Sequence, residues 1–399
     1  MIAVSPGDTI SDFPTDCLEK TEERQGSVMT AAKKMVPPKN SNHIVWVDLF
    51  KAICIVSMVL GHAGAPFTTY IYLFHMPAFM FISGYTYRGE GYSFLGYLGR
   101  KTRNILLPML LINCIYIVFY VAMQKAGLYH YLQAGAPMGL KDRLKLLFLY
   151  CGTPDFGGAT WFLVVLFTIE IVARICTGIC GKIGFPKADA FLLLLPAAAG
   201  WYFISHKIVL PYLLDLSLFG CLFYAAGILT RRGNLLEKKI DHRVMISLSG
   251  MTTVFFGSFY FRDQIPMNWP TRQFAASLFI QLASCFSAMY LCYPLAKAIA
   301  LSEILQKIFS YIGKHTYCIL TTHFFIFRCI FLVLVLLRLL PSKDLQNLTP
   351  PYSPYPFWLF MTVAAVGGCM LLAWLSEKND VLNYIVNARW TYRRRGKAL

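Results

Sequence analysis

The stretch WVDLFKAICIVSMVLGHAG (46–64) decides what kind of molecule this chain is. It is an apolar run of the length that crosses a hydrocarbon core as a helix, about 20 residues. Its ionisable groups are three: Asp48, Lys51 and His62. Nine further runs of this kind follow, giving ten expected spans at about 44–64, 67–87, 104–124, 158–180, 188–204, 208–229, 243–261, 273–296, 316–339 and 357–376. Composition agrees. Of 399 residues 57% are apolar and 14% charged, against roughly 25% charged in an ordinary soluble domain. Mean hydropathy is +0.53. A disordered chain is excluded, and the composition argues against a soluble globular one. The expected fold is an all-α polytopic membrane protein of about ten helices.

The remaining sequence organises itself around that domain, 44–376. Residues 1–43 are polar, hold six of the 20 acids and no apolar core, and read as a disordered tail without a signal peptide. Met29 and Met35 are alternative starts. Residues 377–399 form a basic tail. Segment 140–151 is amphipathic and reads as a surface helix, and TPPYSPYP (349–356) as a turn-rich connection. A net charge of +17 would suggest nucleic acid in a soluble protein. Here it follows the loops instead. With the N-terminus inside, 23 Lys and Arg fall in cytoplasmic segments and 9 outside, so both termini are placed in the cytoplasm. The worst fit is the outer loop 125–157, with Lys125, Lys141, Arg143 and Lys145. The 12 cysteines form no Cys-x-x-Cys and mostly sit in apolar runs as small hydrophobes.

Ionisable residues inside a span are functional candidates. Lys51 and His62 are eleven residues apart, about 20° from exact register, and Asp48 and His62 fourteen apart, about 40° off. All three share one helix face, which favours a common polar cavity. The bland alternative is an Asp48–Lys51 pair at the interface. In the second span, YLFHMPAFMFISGYTYR places His75 near Pro77, whose ring frees a carbonyl. Ser83 and Gly84 suit close helix packing. In the ninth, GKHTYCILTTHFFIFR carries His323 and Arg328. Arg328 needs a partner, for which Asp215 and Glu170 are candidates. In GRKTRNILLP, Arg100 and Arg103 are three apart, and such a fork suits phosphate. An ordinary positive-inside cluster explains it equally. No metal-ligand spacing, phosphate loop or Gly-x-Ser-x-Gly elbow is present.

These residues resemble a known family, the membrane-bound acyltransferases of family 3, closest to its fucose 4-O-acetylase-like branch. Lys51 and His62 are similar to a basic residue and His separated by ten positions, although the family commonly has Arg at the first. FHMPAFMFISGY (74–85) resembles its second-helix signature. Arg100, Arg103 and Pro108 resemble its first cytoplasmic loop. ATWFLVVLF (159–167), with Trp161, and GKHTYCILTTH (313–323) are similar to later motifs. The resemblance covers roughly 44–376.

It implies transfer of an acyl group, usually acetyl, from cytoplasmic acyl-CoA to a hydroxyl of an extracytoplasmic glycan or lipid-linked sugar. Acetyl-CoA is then the donor, with membrane lipids as surroundings, no metal and no nucleic acid. The expected place is a bacterial inner membrane. His62 would be catalytic with Lys51 supporting it. Arg100, Arg103 and Arg88 would serve the acyl-CoA end, and Lys51 or Arg88 the developing charge. His75 would orient the acceptor or hold His62. The chemistry is consistent, because a sugar hydroxyl needs a base working near neutral pH and His is one. The rival class is a secondary transporter with a polar pathway along the first helix, but no internal repeat supports it. A structural membrane partner of a glycan assembly complex is a third reading.

Overall fold

The apolar run at 46–64 folds as a helix, α1 (Val45–His62), ended by Gly64 in the left-handed region (φ 79°). The computed structural model describes residues 45–132, 136–150, 155–236, 242–260, 267–275, 277–350 and 356–389. The expectations for the polar tail, the alternative starts, the Pro-rich core of 349–356 and the last ten residues lie outside these.

The chain returns through α2 (Thr68–Tyr85) and then a long run, α3 (Phe94–Lys125). The segment expected as a loop before residue 104 is helical from Phe94, because Ser93 caps it by accepting from Gly96 N. A single π turn over Thr102–Leu106 interrupts α3. The amphipathic segment is α4 (Leu140–Tyr150). Next come α5 (Trp161–Lys182), α6 (Pro186–Ser205, assembled from three short helical pieces) and α7 (Pro211–Arg232). After α8 (His242–Tyr260) the chain makes a two-residue strand pair, β1 (Met267–Asn268) and β2 (Gln273–Phe274). The expected span at 273–296 therefore begins later, as α9 (Leu278–Ile299), capped by Ser277. The last helices are α10 (Glu303–Lys314), α11 (Thr316–Leu336), α12 (Phe357–Ser376) and α13 (Asp380–Asn387).

The molecule is all-α and polytopic. Eight described helices are long and apolar enough to span: α1, α3, α5, α6, α7, α9, α11 and α12. α2 and α8 occupy the other two expected spans but are less apolar. In α2 the cause is visible: three tyrosines, His75 and Pro77. Yet α2 is among the most buried helices, because it packs against α1, α7 and α9.

Small residues let the central helices touch backbone to backbone. A Cβ on Gly84 would collide with the Tyr224 carbonyl, and one on Gly227 with the Phe81 carbonyl, which locks α2 against α7. Gly84 thus takes the packing role. On α10, a Cβ at Gly313 would collide with the Asp48 carbonyl of α1. This fixes which end of the bundle holds Asp48: the end where α10 meets α11, and where the Trp46 ring meets Tyr85 at 5.1 Å.

Buried charges pair off. Asp215 accepts from Arg272 Nε at 2.5 Å and Nη2 at 3.2 Å. Glu170 pairs with Lys101 and accepts from Tyr97 at 3.2 Å. Neither reaches Arg328, contrary to expectation, because each already has a cation of its own. Arg143 explains the poor charge count of loop 125–157. It is 1% exposed and paired with Asp155, so it is an interior ion pair and not a loop charge.

Candidate functional site

The histidines of α1 and α2 converge on one cavity of about 260 Å3. His62 reaches it from the last turn of α1, and His75 with Tyr72 from the middle of α2. Trp161 and the turn Gly158–Ala159 form one wall, and the strand pair roofs it with Met267, Asn268, Trp269, Pro270 and Thr271. His323 lies behind His62, ring stacked on ring at 5.2 Å and 28°. Phe324 meets His62 edge-on at 4.9 Å.

Hydrogen bonds fix the histidine tautomers. A carbonyl only accepts, so a ring nitrogen bonded to one carries the proton. Nδ1 of His75 donates to Ile71 O at 2.8 Å. Nδ1 of His323 donates to Ile319 O at 2.9 Å and Leu320 O at 3.1 Å. In the neutral ring Nε2 is then the basic nitrogen, and Nε2 of His323 is buried with no hydrogen-bond partner among the described residues. The acceptor for His75 is Ile71 O, whereas the carbonyl that Pro77 leaves without its helical donor is Leu73 O. His62 is held differently: its Nδ1 lies 3.4 Å from Tyr72 OH. Tyr72 is the polar side chain that the sequence reading missed. Its signal was there, since Tyr72 and His75 are three apart and share a helix face.

The wall beside Trp161 is braced. Thr160 donates to Gly157 O at 2.6 Å and accepts from Asn113 Nδ2 at 3.1 Å. Asp155, five residues before Thr160, holds Arg143 of α4, whose Nη2 also donates to Tyr129 OH at 3.3 Å. The roof is braced by Arg272–Asp215 and by Trp269, stacked on Phe219 at 5.5 Å. Arg328 stays outside the cavity. It is 7% exposed, near the Phe156 ring at 6.0 Å, with Nε and Nη1 unpartnered among the described residues.

Asp48 and Lys51 do not line this cavity, which corrects the expectation of one polar cavity for all three groups of α1. Sharing a helix face is not sharing a depth: eleven residues rise about 16 Å and fourteen about 21 Å. Lys51 Nζ lies 3.4 Å from Asp48 Oδ1, the local pair that the sequence offered as an alternative. Lys51 therefore has no contact with His62. Ser83 also stays out.

A second, more open cavity of about 590 Å3 lies at the Asp48 end, lined by Gly99, Arg100, Arg103, Asn104, Ala388 and Arg389. The π turn carries Arg103, and such turns frequently mark functional positions. Arg100 donates to Tyr92 OH and stacks over that ring at 4.9 Å. Arg88 is exposed and is not part of this lining. Among the described residues, no group of three His, Cys, Asp or Glu is arranged to hold a metal ion.

The sequence model of the family described as an acyltransferase domain matches residues 44–374. No curated protein and no solved structure matches the chain.

Proposed function

The chain belongs to acyltransferase family 3 and is a membrane acyltransferase, and from that premise we propose that it moves an acetyl group from acetyl-CoA to a sugar hydroxyl at His62. The observation that carries the proposal is the seating of His62 at a half-open cavity, with two tautomer-fixed imidazoles and an aromatic wall beside it.

An alcohol attacks a thioester slowly until a base takes its proton. Of the two imidazoles that line the cavity, His62 is assigned as that base. The hydroxyl oxygen forms a bond to the thioester carbonyl carbon. The carbon–sulfur bond then breaks, and the thiolate leaves with the proton that His62 has collected. The products are an ester and free CoA thiol. Tyr72 OH sets the His62 ring. His75 Nε2, basic while its Nδ1 is tied to Ile71 O, is suited to orient a second acceptor hydroxyl. Trp161 and Trp269 offer flat apolar faces that suit the C–H face of a sugar ring.

The donor's phosphates are assigned to the arginine cavity. They are too costly to place in the apolar interior, and guanidinium forks match them. The thin pantetheine arm then carries the thioester along the bundle toward His62. With the arginine end in the cytoplasm, as the Lys and Arg distribution favours, the histidine cavity serves an extracytoplasmic or lipid-linked glycan in a cell envelope, in keeping with the branch resemblance.

The test is CoA-thiol release from acetyl-CoA by purified protein in detergent, with a panel of glycans. Wild type is expected to release thiol and His62→Ala not to. Equal release by both moves the chemistry away from His62. Solute movement into liposomes without acetyl-CoA, and no thiol release, replaces the enzyme with a transporter.

A further inference from the structure

The arginine cavity has a contributor that neither the motif reading nor the family match covers, since residue 389 lies beyond 374. In sequence, Arg389 is one more cation of a basic tail. In the structure it is brought to Arg100 and Arg103 by a dedicated anchor. α13 starts on Asn379, whose side chain accepts from Val381 N at 3.0 Å and Leu382 N at 3.1 Å. Its far end is tied to α12, because Asn387 Nδ2 donates to Ala373 O at 3.2 Å and Ser376 Oγ at 2.9 Å. Tyr384 OH donates to Arg103 O at 2.5 Å, which joins α13 to the π turn. Burial raises the Tyr384 pKa, with Arg103 pulling the other way, so the group stays a phenol and a donor.

Immediately after α13, Ala388 adopts φ 52°, ψ 32°. A left-handed conformation costs a non-glycine residue about 1–2 kcal/mol. Such strain persists only where surrounding contacts enforce it, and it gathers at functional sites. Here it turns the chain so that Ala388 and Arg389 face the cavity. The Arg389 guanidinium is then fixed: Nη2 donates to Lys314 O at 2.5 Å, and Nη1 lies 3.3 Å from His315 Nε2. Nδ1 of His315 donates to Tyr311 O at 2.8 Å, so Nε2 is bare in the neutral ring and accepts from Arg389. The same Nε2 lies 2.9 Å from Glu377 Oε1, to which it donates when protonated. Lys314 O holds Arg389 in both cases. Among the described residues, no acidic side chain lines the cavity. The nearby Lys101 is drawn away to Glu170.

We propose that Arg389 is a third phosphate-binding arginine of this cavity, positioned by α13, Lys314 and His315, and that the ligand is the polyphosphate head of the acyl donor. The inference rests on the function proposed above and extends its donor site. A guanidinium already held by a carbonyl through one nitrogen keeps donors for a second acceptor, and its orientation is settled before the ligand arrives.

The experiment measures acetyl-CoA dissociation constants by calorimetry on the purified full-length protein, with inorganic pyrophosphate as competitor. Arg389→Gln is expected to raise the acetyl-CoA Kd about tenfold and to weaken pyrophosphate competition in parallel. Arg389→Lys restores the charge without the fork and should recover part of the loss. His315→Ala should weaken binding in wild type and add nothing in the Arg389→Gln background, a coupling that general damage to the fold would not produce. Wild-type affinity in Arg389→Gln overturns the inference alone. Wild type that binds neither acetyl-CoA nor pyrophosphate overturns the donor site and this inference together.

Discussion

In the histidine cavity, His75 and His323 each donate Nδ1 to a carbonyl one turn back in their own helices. In the arginine cavity, Arg103 is reached by Tyr384 from 281 residues away, and Arg389 by Lys314 from 75 residues away. Two imidazoles at the first cavity, His75 lining it and His323 behind His62, are held by carbonyls of their own helices, as a low-dielectric interior favours. The second is made of cations brought together by long-range docking at the end of the bundle, where solvent tolerates charge. The first is small and suited to holding one reacting geometry. The second is more than twice its volume and suited to gripping a charged head.

The harshest way to break that contrast is to unpin the histidine cavity's wall. Asp155→Asn removes the carboxylate from Arg143, which is 1% exposed. Leaving a buried charge uncompensated costs about 3–5 kcal/mol. Thermal unfolding in detergent should fall sharply, with turnover, while acetyl-CoA binding by the surviving folded protein persists. Adding Arg143→Met should restore much of the stability, because an apolar replacement of a buried pair is often neutral. An Asp155→Asn protein with wild-type unfolding would show that the pair is not what braces the wall.

A gentler break acts on the other cavity. Arg100→Gln combined with Arg103→Gln removes two cationic donors, each worth about 1.5–3 kcal/mol to a charged acceptor. The donor KM should rise at least about tenfold and depend less steeply on salt, since fewer phosphate contacts are left to screen. The melting temperature should hold, because neither side chain is buried. A fall in turnover at saturating donor, with KM unchanged, would place these arginines with the chemistry and erase the division of labour.

How far each cavity was legible follows from the same contrast. Periodicity and apolar run length exposed the bundle, and His62, His75 and His323 stood out because ionisable groups are rare in spans, whereas Trp161 was reached only through the family resemblance. What those runs could not give was depth. Helix register put Asp48, Lys51 and His62 on one face, but the rise between them sends the first two to the opposite end. Long-range partners were equally hidden. Nothing local says that Asp215 belongs to Arg272 across 57 residues, or Glu170 to Lys101, and so Arg328 was offered partners already engaged. The roof was missed because β1 and β2 are two residues each, too short for any alternation to show. Arg389 was hidden by its company, one cation among six in a basic tail.

The smallest expected effect is the sharpest probe of how local the histidine cavity is. Tyr72 OH is the hydrogen-bond partner of His62, at 3.4 Å, close to the limit of such a bond. A neutral hydrogen bond contributes about 0.5–1.5 kcal/mol net, and one this long belongs near the lower value. Tyr72→Phe keeps the ring that packs against His62 at 5.9 Å and His75 at 5.4 Å. It should therefore lower kcat about two- to fivefold and leave both the donor KM and the melting temperature unchanged. A loss of a hundredfold or more would mean that the hydroxyl touches the reacting atoms and acts beyond orienting His62. No loss at all would leave the stacked His323 ring and Phe324 as the groups that hold His62 in place.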